Sequence, residues 1–369
     1  MLQSEKQCLR EWRTPVKRIS LGRRIRTFLP YISFVKNDVV SKCRRSMRPK
    51  LKPILTLLLI TPFLTELLSN NMAPPAFFNP LNFLLLATVV YGFPVLLLRE
   101  FACRLRLGIA GLLCLGLVYG IINEGIVAKT FYLSQGVPVN TFDVYGYLAG
   151  ISIPWAITIS VWHSLHSVLC PILLTYYLFP DQRSRPWLNR AGICSLVVPT
   201  AALDTLFFFS HTFDRPPGQL GHYALMLICM GLLMWLATKA PRSGQFSDGT
   251  VFRLKPLGWG AVSFPLLLLV PVLLSKGKVA PWIFYAYFAI IIALIIRWMN
   301  RHPEIPVTTC LLFTVSNNVV SILWVIPSSL AHGGSLQLTA NVLMLVAFAS
   351  LLVKIWKDAF IKAAGGRGE

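Results

Sequence analysis

The chain has 369 residues, of which 55% are hydrophobic and only 13% charged, whereas an ordinary soluble domain is about 25% charged. With a mean hydropathy of +0.63, this excludes a water-soluble globule. Lys and Arg outnumber Asp and Glu by 35 to 14, a formal charge of +21; in so apolar a chain that excess belongs in loops facing anionic lipid rather than on nucleic acid.

Residues 1–52 hold 15 basic residues against Glu5, Glu11 and Asp38. They read either as a polybasic arm on anionic headgroups or as an Arg-rich transit segment. A third reading starts the protein at Met47, because Met47-Arg48-Pro49-Lys50 leads directly into the first apolar run. That run begins only after residue 52, so no cleavable signal peptide is expected and the first helix itself serves as the insertion signal.

A bilayer core of about 30 Å takes roughly 20 apolar residues in a helix. Ten runs qualify: 53–69, 81–98, 107–128, 148–178, 191–211, 222–239, 258–274, 280–298, 306–330 and 337–355. The predicted fold is therefore all-α, a polytopic transmembrane bundle of about ten helices over 53–356, with a tail at 357–369. Pro154 and Pro171 predict a kink or tilt in the fourth run, and Pro265 and Pro271 interrupt the seventh. Alternating the runs across the membrane puts 31 of the 35 basic residues on one side and Lys129, Arg215, Lys276 and Lys278 on the other. Positive charge resists translocation, so both termini are expected in the cytoplasm, with a cytoplasmic-type cell membrane around the bundle. The eight cysteines show no CxxC or paired spacing; they read as small hydrophobes, not as a metal site or a disulfide frame, and the sequence leaves any cofactor unknown.

Ionisable groups at membrane depth cost about 2.5–3.5 kcal/mol each and normally face one another or a cavity. They are Glu66, Glu124, His163, His166, Asp204 and His211, joined by Asn317 and Asn318. Glu124 follows Gly116 and Gly120 at steps of four, a small-xxx-small face that admits a neighbouring helix closely and directs the carboxylate inward. Otherwise it is a solvated helix end near Lys129. His163 and His166 lie three apart on one side of a helix with Ser160 and Ser167, a stripe able to hold a proton, a metal or a substrate oxygen, or simply to tie helices together. Asp204 and His211 form a third stripe with Thr200, although His211 also fits a wetted helix end. Asn317 and Asn318 serve as cavity lining or interhelical hydrogen bonds.

Asn123-Glu124 with Lys129, Trp162 with His166, and His211 with Asp214 or Arg215 follow one another in an order that resembles the CAAX prenyl protease and bacteriocin-processing family of intramembrane proteases. The resemblance spans about 95 residues. Asn123 stands where that family has the first of two Glu, Trp162 replaces Phe, Lys129 lies one position too far along, and the third motif is approximate. It implies peptide-bond hydrolysis of a peptide or lipidated substrate, with Glu124 as the general base and His166 and His211 catalytic beside it, holding the water or the oxyanion; the remaining polar groups, His163, Asp204, Asn317 and Asn318, are the candidate substrate-binding residues. Loss of the paired carboxylate fits a non-catalytic relative equally well. The rival readings are a proton-coupled small-molecule transporter and a structural membrane subunit.

Overall fold

A computed structural model describes residues 50–69, 71–132, 141–142, 144–209, 220–240, 255–301, 306–332 and 334–365. Most of the basic 1–52 segment, and His211 with Asp214 and Arg215, fall outside them. Among the described residues ten long helices run in chain order: α1 (50–67), α2 (Pro80–Leu105), α3 (Ile109–Val127), α4 (Ile153–Leu178), α5 (Arg190–Phe209), α6 (Leu220–Lys239), α7 (255–276), α8 (Pro281–Arg301), α9 (Val307–His332) and α10 (Gly334–Gly365). Eight of these, α2 to α7 with α9 and α10, are long and apolar enough to cross a membrane, and α8 holds a shorter apolar helix. The predicted helical membrane bundle is the observed architecture.

Local chemistry sets the helix ends. Asn79 caps α2, its side-chain oxygen accepting from the amides of Leu81 and Asn82 at 3.1 and 3.3 Å, and Pro80 occupies the first turn, where its missing N–H costs nothing. Before α4 lies a small antiparallel hairpin, β1 (Tyr147–Leu148) on β2 (Ile151–Ser152). Ala149 and Gly150 turn it with φ of 50° and 86°, the two positive values that a tight hairpin of native twist requires. The fourth apolar run thus begins its helix at Ile153 rather than at 148. Pro154 falls in the first turn of that helix and cannot kink it. The second run also differs from expectation: Arg99 and Arg104, expected in a loop, are helical, because α2 continues to Leu105 and closes with Arg106 in the left-handed conformation at φ 55°.

Arg99 explains that extension. Its side chain is 0% exposed and paired with Glu100. One guanidinium nitrogen donates to the carbonyls of Gln182, Arg183 and Arg185 at 2.8–3.0 Å, and the plane lies 3.7 Å from the Trp187 ring centre. Glu100 in turn accepts from the Trp187 amide at 2.7 Å. A buried charge is tolerated when it is paired and its terminal nitrogens are bonded in this way, Nε alone being left without a partner, and the cluster clamps the 180–188 connection against α2.

α4 is the centre of the bundle. Of its apolar window 78% is buried, against 0% for α5, which presents its surface outward. Around α4 the helices make an unusual number of i→i+5 turns: Phe63–Leu67 in α1, Leu86–Val90 in α2, Ile121–Val127 in α3, His163–Leu169 in α4 and Pro265–Leu269 in α7. Such π-turns are rare and cluster at functional positions. Glu66, Glu124, His163 and His166 all lie on them, and Tyr91 directly follows one.

Candidate functional site

The site begins with a contact between backbones. A Cβ added to Gly116 would sit 2.6 Å from Ser164 Cα, and one added to Gly120 would sit 2.6 Å from Ser160 Cα. No side chain fits, so α3 lies on α4 closer than any larger residue allows. One turn further on, Glu124 meets α4: its Oε1 lies 2.9 Å from His163 Nε2. With Glu124 ionised and the ring neutral, Nε2 carries the proton of that bond and Nδ1 accepts from Ser167 Oγ at 2.9 Å. Thr130 donates to the second carboxylate oxygen at 2.5 Å and itself accepts from Trp155 Nε1 at 2.9 Å. Both oxygens and both ring nitrogens are thereby fixed in orientation, as a working acid–base pair requires.

A second carboxylate lies beside the first. Glu66 accepts a hydrogen bond from the Tyr91 hydroxyl and another from Asn71 Nδ2 at 2.7 Å. Tyr91 stacks on His163, ring centres 6.4 Å apart and planes at 21°, and Tyr119 meets the same imidazole edge-on at 5.5 Å. The Tyr119 hydroxyl donates to the Val90 carbonyl at 3.0 Å and receives Asn123 Nδ2 at 3.2 Å. Four helices, α1 to α4, thus contribute to one polar seam in which His163 is the hub. His163 is 2% exposed and Glu66 4%, while the Glu124 side chain keeps 14% of its surface open. The seam is buried at its hub and reaches the surface at Glu124 and at the exposed Asn71.

The two histidines part company. An α-helix would have put them on neighbouring faces, but the wider i→i+5 turns swing the second ring further round. His166 bonds through Nδ1 to Asn318 Oδ1 of α9 at 2.8 Å and stacks under Trp162 at 3.8 Å. It does not bond to Glu124; His163 occupies that position instead. Asn317, next to Asn318, donates to Ser263 Oγ of α7 at 2.7 Å. Asp204 on α5 is half-buried and forms no hydrogen bond among the described residues. Lys129 does not approach the carboxylates: with φ of 57° it bends away to bond the Phe208 carbonyl at 2.6 Å, closing the end of α5. Of the expected catalytic set, Glu124 and His166 therefore lie in different polar centres, and His211 is outside the described residues.

Sequence reasoning passed over Tyr91, Tyr119, Asn71 and Thr130. A tyrosine in an apolar run reads as core, and only its partner distinguishes a hydroxyl that holds a carboxylate from one that points to lipid. Proximity of Tyr91 to a π-turn was invisible, because such turns have no compositional signal.

No curated protein and no solved structure matches the chain. Residues 55–363, which include every residue of both polar centres, match the family described as "Uncharacterized membrane protein family", and the chain is a member of that membrane protein family.

Proposed function

We propose that the protein is a proton-coupled carrier in which Glu124 and His163 take up and release the coupling proton and Glu66 with Tyr91 holds a second one. The observation that carries this reading is the 2.9 Å bond between Glu124 and His163, made across two spanning helices with a second hydrogen-bonded carboxylate beside it. Carboxylates and histidines this deep are costly unless they handle charge or pair with one another. Here the pair is also connected: a proton entering at the open edge of Glu124 meets an imidazole with two usable nitrogens, the ordinary device for passing protons near neutral pH. The basic residues gathered on one side of the spans support a bilayer with anionic lipid at the cytoplasmic face and both termini in the cytoplasm.

The hydrolase reading is supported by the resemblance around Glu124 and by the open edge of that carboxylate, through which a water would enter. In that case Glu124 is the general base and His163, not His166, its partner. One experiment separates these readings. In proteoliposomes loaded with a pH-sensitive dye and challenged with a panel of small organic solutes, a carrier changes the internal pH with one class of solute. Glu124→Gln then abolishes the proton movement while exchange of labelled solute persists. Peptide cleavage lost in Glu124→Gln, with no internal pH change, favours the hydrolase; a fully active Glu124→Gln protein refutes both.

A further inference from the structure

The second polar centre is not used by the reading above, and its hydrogen bonds leave a definite remainder. Asn318 donates from Nδ2 to the Thr314 carbonyl at 2.7 Å and approaches Cys170 Sγ at 3.5 Å. Its Oδ1 therefore faces His166 and accepts from Nδ1–H, which fixes the ring tautomer. In the neutral ring Nε2 is then an acceptor; the Asn317 side chain lies beside it, and no donor among the described residues meets it. The same accounting orients Asn317. Ser263 Oγ gives its proton to the Gly260 carbonyl at 2.7 Å and so receives Asn317 Nδ2, also at 2.7 Å. Asn317 Oδ1, in a residue only 1% exposed, is left without a donor, as is the Thr158 hydroxyl, in a residue 7% exposed.

These groups border one cavity of about 20 Å³, walled by Thr158, Trp162, His166, Phe264, Leu268 and Asn317 between α4, α7 and α9. A water needs roughly 10–15 Å³ measured in this way, so there is room for a single heavy atom and little more. A buried acceptor left unmet costs about 1–3 kcal/mol; here two acceptors and a hydroxyl share one small space, with Trp162, Phe264 and aliphatic side chains as the rest of the wall. An anion is repelled by such a site, and an organic molecule does not fit.

We infer that the cavity between α4, α7 and α9 binds one small hydrogen-bond donor, a water or an ammonium ion, held between His166 Nε2 and Asn317 Oδ1. A water uses both its protons on these acceptors and takes the Thr158 hydroxyl proton on its oxygen. An ammonium ion uses the same two acceptors and lies against the aromatic faces, which attract cations.

The test is nitrogen NMR on histidine-labelled protein in lipid nanodiscs, with the His166 ring assigned by loss of its signals in His166→Asn. The site predicts a protonated Nδ1 and an unprotonated Nε2 at a hydrogen-bonded position. If the occupant is water, magnetisation passes from water to Nε2 and added ammonium chloride changes nothing. If it is ammonium, Nε2 shifts saturably with ammonium chloride and not with sodium chloride. In folded Asn317→Leu the Nε2 signal moves toward its unbonded position. The inference is overturned if wild-type Nε2 carries the proton, or sits at the free-acceptor position in every salt, or if it is unmoved in folded Asn317→Leu; the wild-type spectra decide even where that variant does not fold.

Discussion

Replacing Gly120 by alanine tests the crossing that holds Glu124 against His163. A single methyl group normally favours an isolated helix, by about 1 kcal/mol over glycine. At Gly120 that methyl would lie 2.6 Å from Ser160 Cα, and the contact is with backbone, which cannot rotate away. Ordinary carbon–carbon contact is about 3.5–4.0 Å, so the helices must separate by roughly 1 Å. Overpacking of this kind costs about 1–3 kcal/mol, and because the contact is with backbone the upper part of that range applies, so that after the propensity gain of about 1 kcal/mol a net loss of up to about 2 kcal/mol is left. The same displacement stretches the 2.9 Å Glu124–His163 bond past useful length. Gly231 on α6 is an internal control, because a Cβ there meets nothing within 4 Å. Thermal melts in nanodiscs are expected to rank Gly231→Ala at or above wild type and Gly120→Ala clearly below it. Equal melting of Gly120→Ala and wild type would refute the close crossing and with it the alignment of the acid–base pair.

Three further outcomes follow from the same contacts. In a double-mutant cycle of Glu124→Gln and His163→Ala, the two losses of stability are expected to couple by about 1 kcal/mol, the upper range for polar contacts between spanning helices; additivity within about 0.3 kcal/mol contradicts the bond. Arg99→Lys is expected to melt like a disrupted clamp, because an ammonium cannot reach three carbonyls while stacking on Trp187. A change in Trp187 emission reads this directly, and a wild-type spectrum and melt would remove the clamp's importance. Tyr91→Phe leaves Glu66 with only Asn71; its carboxyl infrared band is expected to shift, and an unmoved band would show that the tyrosine does not hold it.

The fold was legible in the sequence because a membrane demands a coarse signal: about twenty apolar residues per helix, read without knowing any contact. All ten runs became helices, eight of them long and apolar enough among the described residues to cross a membrane, and their ends were decided by caps and turns. The polar centres were legible as a cast but not as pairs. Glu124, His163 and His166 stand out because charge in an apolar run is expensive, yet their pairing depends on where the helix widens into π-turns, which no spacing rule foretells. Counting by α-helical steps put both imidazoles on one face, whereas the widened turn gave His163 to Glu124 and His166 to Asn318. Arg99 was hidden for the opposite reason: at the end of an apolar run a cation reads as loop, and only the carbonyls of 182–185, far along the chain, show that it is buried.

Proton exchange at Glu124 within the bundle underlies the proposed carrier. Infrared difference spectra of the reconstituted protein between acidic and alkaline buffer measure this directly. The predicted result is a protonated-carboxyl band that appears and disappears reversibly, is missing in Glu124→Gln, and shifts when His163 is replaced by alanine. A spectrum with no carboxyl change in either buffer, or one that Glu124→Gln leaves intact, would contradict it.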